Sequence, residues 1–239
     1  KKGYLSIGVP AEKIELIPNG VNTEVFRPSV SSEAIKEKYR LKGRKIVLFV
    51  GRISRQKGLE YLIMSAKSVA KALPNVKFVI IGPVLFYTAR AGIDERENPY
   101  YFLLQKLIKG LDLEEYFLFT GAIRRNDLIE FYNACDVLVL PSLSETFGMV
   151  LVEANACGKP VITTPCGGTV DIVRDGYNGF LVPIGDKKAL ADRITRLLTD
   201  VGLRNRMGEN GRKLMEQSFS WESIATKVKR VYEDVLSDS

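Results

Sequence analysis

Two carboxylates, Glu145 and Glu153, bracket an apolar segment that directly follows a strand-like run. The run, Asp136 to Leu140, is short and rich in branched side chains, as in a strand buried on both faces, and Pro141 closes it. After Gly148 the residues have the pattern of a helix. The order is therefore strand, loop and helix, with Glu145 in the loop and Glu153 about one to two turns into the helix.

The start of such a helix has unpaired backbone N–H groups and the positive end of the helix dipole, so it suits an anionic or hydroxyl-rich ligand. A carboxylate accepts hydrogen bonds from two neighbouring hydroxyls at once, which suits a sugar or a ribose diol. We therefore expect Glu145 and Glu153 to face one crevice at different depths. The alternative is that Glu145 is a solvated loop acid and Glu153 a surface residue of the helix.

A second loop, Gly51 to Gly58, carries the cations Arg52 and Lys57 between two glycines. Glycine allows close backbone approach, and the two cations together could neutralise a pyrophosphate. The spacing differs from the Walker loop and from Gly-x-Gly-x-x-Gly, so it supports neither P-loop hydrolysis nor dinucleotide binding. The alternative is that Arg52, Arg55 and Lys57 only solvate a loop.

The elements that must position these loops alternate between strand and helix. Short apolar runs predict strands at Ile46 to Val50, Lys77 to Ile81, Tyr116 to Phe119, Val137 to Leu140, Val161 to Thr163 and Phe180 to Val182. Helical patterns lie between most of them, and others follow at Lys187 to Leu198, Val201 to Met215 and Trp221 to Leu236. This order predicts an α/β fold with a doubly wound, mainly parallel sheet. Ligands bind outside the carboxyl ends of such strands, where both loops fall.

Three segments lie outside this alternation. Ile14, Leu16 and Val21 alternate around a turn signal and predict a short strand in a linker. Residues 84 to 99 have no clean period and predict an irregular insertion, which favours a long surface loop, with a flap over the ligand as the alternative. The apolar stripe on the last helix, from Trp221 to Val235, predicts a packing face.

Composition narrows the function classes. The chain has 239 residues, of which 46% are hydrophobic, and its apolar runs fall far short of the ~18 residues that cross a bilayer. The three cysteines, Cys135, Cys157 and Cys166, predict reduced thiols in a reducing, cytoplasmic compartment, and no secretory signal is visible. There is no histidine and no metal-ligand spacing, so base chemistry must use carboxylates. The net charge of +7 favours phosphate-bearing partners, but the scattered cations argue against nucleic acid as a partner.

Several motifs taken together resemble the C-terminal half of a retaining glycosyltransferase of family 4, which has a two-domain B-type glycosyltransferase fold. The motifs are Ile17 to Asn22, Gly51-Arg52 with Lys57-Gly58, Gly121-Ala122-Ile123, Pro141-Ser142, Glu145 to Gly148, Glu153-Ala154 and Gly167-Gly168. They cover nearly the whole chain, and the Glu pair with seven residues between its members is the family's signature. One departure is that Gly82-Pro83 replaces the family's Gly-x-Gly-Pro turn, which leaves donor contacts from that turn in question.

The resemblance implies a role for each site residue. Arg52 and Lys57 would hold the donor diphosphate, and Glu145 would bind the transferred sugar, which makes these three the catalytic candidates. Glu153 would bind the ribose and Ile123 would lie against the base. The donor-binding set is Gly51, Ile123, Thr146, Phe147, Gly148, Met149, Val150 and Glu153. The family needs no metal and no cofactor beyond its nucleotide-sugar substrate.

The resemblance also implies an organisation. Residues 1–30 would be an inter-domain linker and edge segment, 31–218 a Rossmann-like donor-binding domain, and 219–239 a helix that crosses back to an absent N-terminal acceptor-binding domain. The expected function is donor binding for a hexosyltransferase, with the isolated chain inactive or weakly active. Association with the cytoplasmic membrane surface is compatible, since many acceptors in the family are lipids. The alternatives are a non-catalytic nucleotide-binding or regulatory module, and a basic protein that binds nucleic acid or membrane surfaces.

Overall fold

A computed structural model describes residues 5–83 and 98–237. Within them lies a six-stranded sheet with the order β3-β2-β1-β4-β5-β6, in which neighbouring strands are all parallel. The strands are β1 (Lys45–Val50), β2 (Val76–Ile81), β3 (Phe117–Gly121), β4 (Val137–Leu140), β5 (Val161–Thr163) and β6 (Gly179–Leu181). Each lies within two residues of its predicted bounds, and the predicted α/β fold with a Rossmann-like, doubly wound parallel sheet is confirmed.

Helices flank this sheet. They are α1 (Glu33–Lys38), α2 (Leu59–Ala72), α3 (Pro99–Gly110), α4 (Arg125–Ala134), α5 (Met149–Ala156), α6 (Thr169–Ile172), α7 (Lys187–Thr199), α8 (Val201–Leu214) and α9 (Trp221–Ser237), with a π-helical turn at Met215–Phe219. Helix α2 packs against α3 and α7, α1 packs against α4, and α5 packs against α8. In the described parts of the chain, none of these helices is long and apolar enough to cross a membrane.

The order of the strands reverses between β1 and β4. The chain continues from β1 to β2 and β3 on one side, and from β4 to β5 and β6 on the other. β4 is buried along its whole length, as its unbroken apolar sequence requires. A crevice forms outside the carboxyl ends of two strands at such a reversal, and the loops that begin at Gly51 and Pro141 flank it.

Asp136 fastens β1 to β4 at the opposite end of the two strands. Its Oδ2 accepts a hydrogen bond from the Ile46 N–H at 2.8 Å, and its own N–H donates to the Ile46 carbonyl at 2.9 Å. Lys45 and Arg204 lie 4.0 and 3.5 Å from Oδ1 of the same carboxylate. The pairing of the two central strands is therefore fixed by a charged side chain as well as by backbone hydrogen bonds.

Arg212 on α8 holds the opening segment against the body of the protein. Its Nη1 donates to the carbonyls of Thr23, Phe26 and Ala156 at 2.9, 2.8 and 2.9 Å. Its Nε donates to Glu216 at 2.6 Å. One guanidinium thus joins α8 to the opening segment and to the end of α5.

The prediction for the start of the chain is wrong, and the predicted packing face on the last helix is mostly uncovered in the described residues. Residues 14 to 20 form no strand, and Val21 makes only an isolated bridge with Ser220. Pro18 has no N–H for a ladder, and the Val21 N–H donates to Phe219 instead of to a hairpin partner. The stripe on α9 buries only Ile224 against the described residues, while Trp221, Tyr232 and Val235 are 51%, 68% and 62% exposed.

The predicted insertion at 84 to 99 falls almost wholly outside the described residues. Its last two residues are described. Asn98 caps α3 by accepting hydrogen bonds from the N–H groups of Tyr100 and Tyr101, and Pro99 is the first helical residue.

Candidate functional site

A crevice of about 380 Å³ opens at the reversal between β1 and β4. It brings together nine of the predicted site residues: Gly51, Arg52, Lys57, Glu145, Thr146, Phe147, Gly148, Met149 and Val150. Asn19 of the opening segment and Val50 of β1 complete the lining. The two loops picked out by their chemistry, which are far apart in sequence, therefore face each other across one site.

An ion pair joins the two loops. Lys57 Nζ lies 2.5 Å from Glu145 Oε2, and both side chains are only 13% exposed. The Thr146 N–H donates to the other carboxylate oxygen, Oε1, at 3.2 Å. The alternative view of Glu145 and Lys57 as solvated loop residues is wrong, whereas Arg52, also in the crevice, is exposed.

The residues that follow β5 support the Glu145 loop from behind. Thr164 Oγ1 donates to the Ser142 carbonyl, and the Gly168 N–H donates to the Thr146 carbonyl at 3.2 Å. Gly167 has φ +56°, and a Cβ placed on it would lie 1.6 Å from the Glu145 carbonyl oxygen. Only glycine fits at this contact, which explains the position of Gly167 in the predicted motif.

The first turn of α5 points into the same crevice. Gly148 precedes the helix with φ +102° and no side chain caps it. Met149 and Val150, the first two helical residues, line the crevice. Backbone N–H groups in a first turn have no acceptor inside their helix, so this end supplies hydrogen-bond donors and partial positive charge to a bound anion.

A smaller hollow of about 210 Å³ adjoins the crevice and shares Val50, Gly51 and Arg52 with it. Ile123, which follows β3, lies in this hollow rather than in the crevice. Gly82 and Pro83 also line it, so the turn that departs from the family pattern lies beside Ile123. An elongated ligand could occupy both spaces by passing Arg52.

Glu153 has different neighbours from Glu145. It follows Met149 and Val150 by four and three residues on α5, and so shares their face of the helix. Among the described residues, however, it lines neither the crevice nor the hollow. Its Oε2 accepts a hydrogen bond from the Tyr132 hydroxyl at 2.6 Å. A crevice shared with Glu145 therefore stays a prediction for Glu153, while its hydrogen bond to a buried phenol contradicts the alternative that it is a solvated surface acid.

The surroundings of Glu153 act in opposite directions on its ionisation. Burial raises the pKa of Glu153, while the hydrogen bond from Tyr132 and the charge of Arg125 lower it. Burial also raises the pKa of Tyr132 well above its usual range, so this phenol stays a donor. The carboxylate is half-buried and has one oxygen, Oε1, without a hydrogen bond to any described residue.

The predicted set omits several residues of the site, among them Asn19, Leu128 and Tyr132. Asn19 belongs to the opening motif, whose order along the chain could have indicated it. Leu128 lines the hollow, and Tyr132 holds Glu153, but both have only the helical spacing of core residues. In residues 5–83 and 98–237, no group of three or more metal-ligating side chains could hold a metal ion. The expectation that no metal is needed stays a prediction.

A comparison with known protein families decides the identity. The profile of the family described as "Glycosyl transferases group 1" matches residues 31–214. The chain belongs to this glycosyltransferase family. The predicted resemblance to family-4 glycosyltransferases with a B-type fold is thereby confirmed.

Similar proteins agree with the assignment. This glycosyltransferase chain is 36% identical over 227 residues to the capsular polysaccharide biosynthesis glycosyltransferase CapM of Staphylococcus aureus, covering 92% of this chain and 54% of CapM. Anabaena HepE in complex with UDP-glucose matches with a TM-score of 0.84 and 27% identity, covering 98% of this chain and 61% of HepE. The C-terminal domain of LpcC from Francisella tularensis matches with a TM-score of 0.74 and 28% identity, covering 84% and 100%. The chain spans about half the length of the curated relatives it matches.

Proposed function

We propose that this chain is the donor-binding half of a retaining glycosyltransferase, which takes a sugar from a nucleotide-diphosphate sugar and transfers it to an acceptor hydroxyl. The observation that carries the proposal is the crevice in which Arg52, Lys57 and Glu145 lie together. Cations for a diphosphate and a carboxylate for a sugar hydroxyl are then side by side. The similarity to HepE in complex with UDP-glucose supports a nucleotide-sugar as the ligand.

The crevice and the hollow hold different parts of the donor. Arg52, Lys57 and the first turn of α5 hold the diphosphate, and Glu145 accepts a hydrogen bond from the transferred sugar. The base lies in the hollow against Ile123. The ribose joins the two and reaches toward Glu153 on α5.

Catalysis by these groups is electrostatic. Cleavage of the glycosidic bond leaves additional negative charge on the departing diphosphate. Arg52, Lys57 and the N-terminal end of α5 stabilise that charge where it develops. The chain has no histidine, and Glu145 is bound to Lys57, so these residues stabilise a leaving group and orient the sugar.

The whole reaction includes more than this chain. Hexosyl transfer with retained configuration needs an acceptor-binding half, and we propose that the isolated chain binds donor but transfers sugar weakly. No metal or further cofactor takes part. The protein works in the cytoplasm, with association to the membrane surface where its acceptor is a lipid. Its cations serve the diphosphate rather than a nucleic acid.

A binding screen tests the donor site. We expect calorimetry to show saturable binding of one series among UDP-, GDP- and ADP-sugars, with the matching nucleotide diphosphate also bound. Arg52→Ala should weaken that binding by about 1.5 to 3 kcal/mol, since it removes a charged hydrogen-bond donor.

Arg55→Ala is the matched control for this screen. Arg55 lies in the same loop, but its guanidinium faces the Tyr100 ring at 5.5 Å instead of the crevice. Equal losses in the two variants, or no binding of any nucleotide by the unmodified chain, would contradict the proposed site.

A further inference from the structure

Within the part of the chain that the structure describes, the Tyr132 hydroxyl is the side-chain group that forms a hydrogen bond with Glu153. It donates to Oε2 at 2.6 Å from a side chain that is 0% exposed. The two residues belong to different helices, α4 and α5. A buried phenol bonded to a half-buried carboxylate fixes the rotamer of that carboxylate, since moving away would leave a buried donor unpaired.

Tyr132 itself is fully buried and contacts several residues of the core. Its ring meets the Phe26 ring edge-on with centroids 5.9 Å apart, and Arg125 lies 5.7 Å from the Phe26 centroid. The Phe26 carbonyl accepts from Arg212 at 2.8 Å. The Tyr132 carbonyl accepts from the Cys135 thiol at 3.2 Å. The hydroxyl therefore occupies a fixed point in the protein.

The two helices that this hydrogen bond connects each line one of the two ligand spaces. Helix α4 contributes Leu128, four residues before Tyr132, to the hollow. Helix α5 contributes Met149 and Val150, on the same face as Glu153, to the crevice. The bond from Tyr132 to Glu153 thus joins the helix beside the hollow to the helix beside the crevice.

We propose that Tyr132 is a positioning residue for donor binding: by occupying Oε2 of Glu153, its hydroxyl directs Oε1 at the ribose diol of the nucleotide. The inference rests on the proposed function, which places the ribose between crevice and hollow. A carboxylate oxygen has two acceptor sites, so Oε1 can serve both ribose hydroxyls while Oε2 stays with Tyr132. Preference for a ribonucleotide then depends on a residue that never touches the ligand.

The same contact sets the pH range of this preference. The groups facing Glu153 are Tyr132 and Arg125 from α4, and Cys157, which directly follows the last residue of α5. Glu153 accepts from the diol in its ionised form, so the preference is lost as pH falls through the Glu153 pKa. The Tyr132 hydrogen bond lowers that pKa. Removing the hydroxyl therefore raises the pKa, and the preference is lost at a higher pH than in the unmodified chain.

Tyr132→Phe tests the inference because it keeps the ring packed on Phe26. Calorimetry would compare the nucleotide diphosphate that binds in the screen with its 2′-deoxy form, over a range of pH. We expect the unmodified chain to favour the ribonucleotide about tenfold, the size of one hydrogen bond to a charged group. In Tyr132→Phe the ratio should fall toward one, and its acid-side loss should move to higher pH.

Two further variants separate positioning from packing. Tyr100→Phe removes another hydroxyl bonded to a glutamate, Glu60, away from both ligand spaces, and should leave the ratio unchanged. Glu153→Gln keeps an acceptor for Tyr132 but cannot ionise, so it should reduce the ratio and remove its dependence on pH. Thermal unfolding of each variant measures the packing effect.

Different results of these titrations would contradict different claims about the site. A full ribonucleotide preference in Tyr132→Phe, with all affinities lowered equally, would overturn the positioning role. An unmodified chain that binds both forms equally would overturn the ribose contact of Glu153 and this inference with it, while the donor crevice stands. A chain that binds no nucleotide would overturn the proposed function itself.

Discussion

Lys57→Ala is expected to weaken binding of the nucleotide diphosphate by about 2 to 5 kcal/mol, whereas Glu145→Gln should tighten it by about 1 kcal/mol. The opposite signs follow from the ion pair at 2.5 Å, in which both side chains are 13% exposed. Without Lys57, an uncompensated carboxylate faces the incoming phosphates. Without the charge of Glu145, Lys57 is free to meet them.

The expected effect of Glu145→Gln on affinity has the opposite sign when the ligand carries its sugar. A donor that carries its sugar needs the carboxylate as an acceptor, so Glu145→Gln should lower the affinity for nucleotide-sugar relative to the bare nucleotide. Calorimetric titrations of both ligands against both variants measure this ratio. A nucleotide-binding module that moves no sugar would keep the ratio unchanged, which distinguishes the alternative function from a transferase.

The control for Lys57→Ala is Lys38→Ala. Lys38 pairs with Asp127 at 3.7 Å with 58% of its side chain exposed, and exposed pairs contribute only about 0 to 1 kcal/mol. We expect it to bind nucleotide like the unmodified chain. Equal weakening in Lys38→Ala and Lys57→Ala would mean that overall charge, and not the crevice, attracts the ligand.

Gly167→Ala is expected to abolish nucleotide binding and to destabilise the fold. The left-handed conformation alone costs an alanine about 1 to 2 kcal/mol. The added Cβ would also lie 1.6 Å from the Glu145 carbonyl oxygen, so the loop from Glu145 to Gly148 must move. Urea unfolding measures the loss of stability, and calorimetry measures the loss of affinity.

Gly176→Ala isolates the effect of the contact. Gly176 has φ +76°, but no heavy atom lies within 4 Å of an added Cβ apart from its immediate chain neighbours. It should show the conformational cost without the loss of binding. If the two alanine variants bound nucleotide equally well, the contact between Gly167 and the Glu145 loop would not be what shapes the crevice.

The strands could be predicted from the sequence because each contains a short apolar run, such as the run from Val137 to Leu140. The sequence carried no information on which strands are neighbours, so the loops of Lys57 and Glu145 could be placed at the same edge of the sheet, but the contact between these two residues, 88 apart in sequence, could not be predicted. The periodicity of a helix shows which of its faces is apolar, but it does not show which residues cover that face. By its spacing alone, Tyr132 therefore looks like any core residue. For the same reason the apolar stripe on α9 predicts a packing face.

The pairing of β1 with β4 also has a kinetic meaning. Ile46 and Asp136, which fasten it, are 90 residues apart, whereas β1 and β2 pair across a much shorter separation, as Lys45 does with Val76. Closing longer loops costs more entropy, so we expect each half of the sheet to form before the two halves join. The ligand-binding site then forms last during folding, because the ligand contacts both halves of the sheet. A bound nucleotide would protect the amides of β1 and β4 from hydrogen exchange more than those of the outer strands, since it stabilises the state in which the halves are closed.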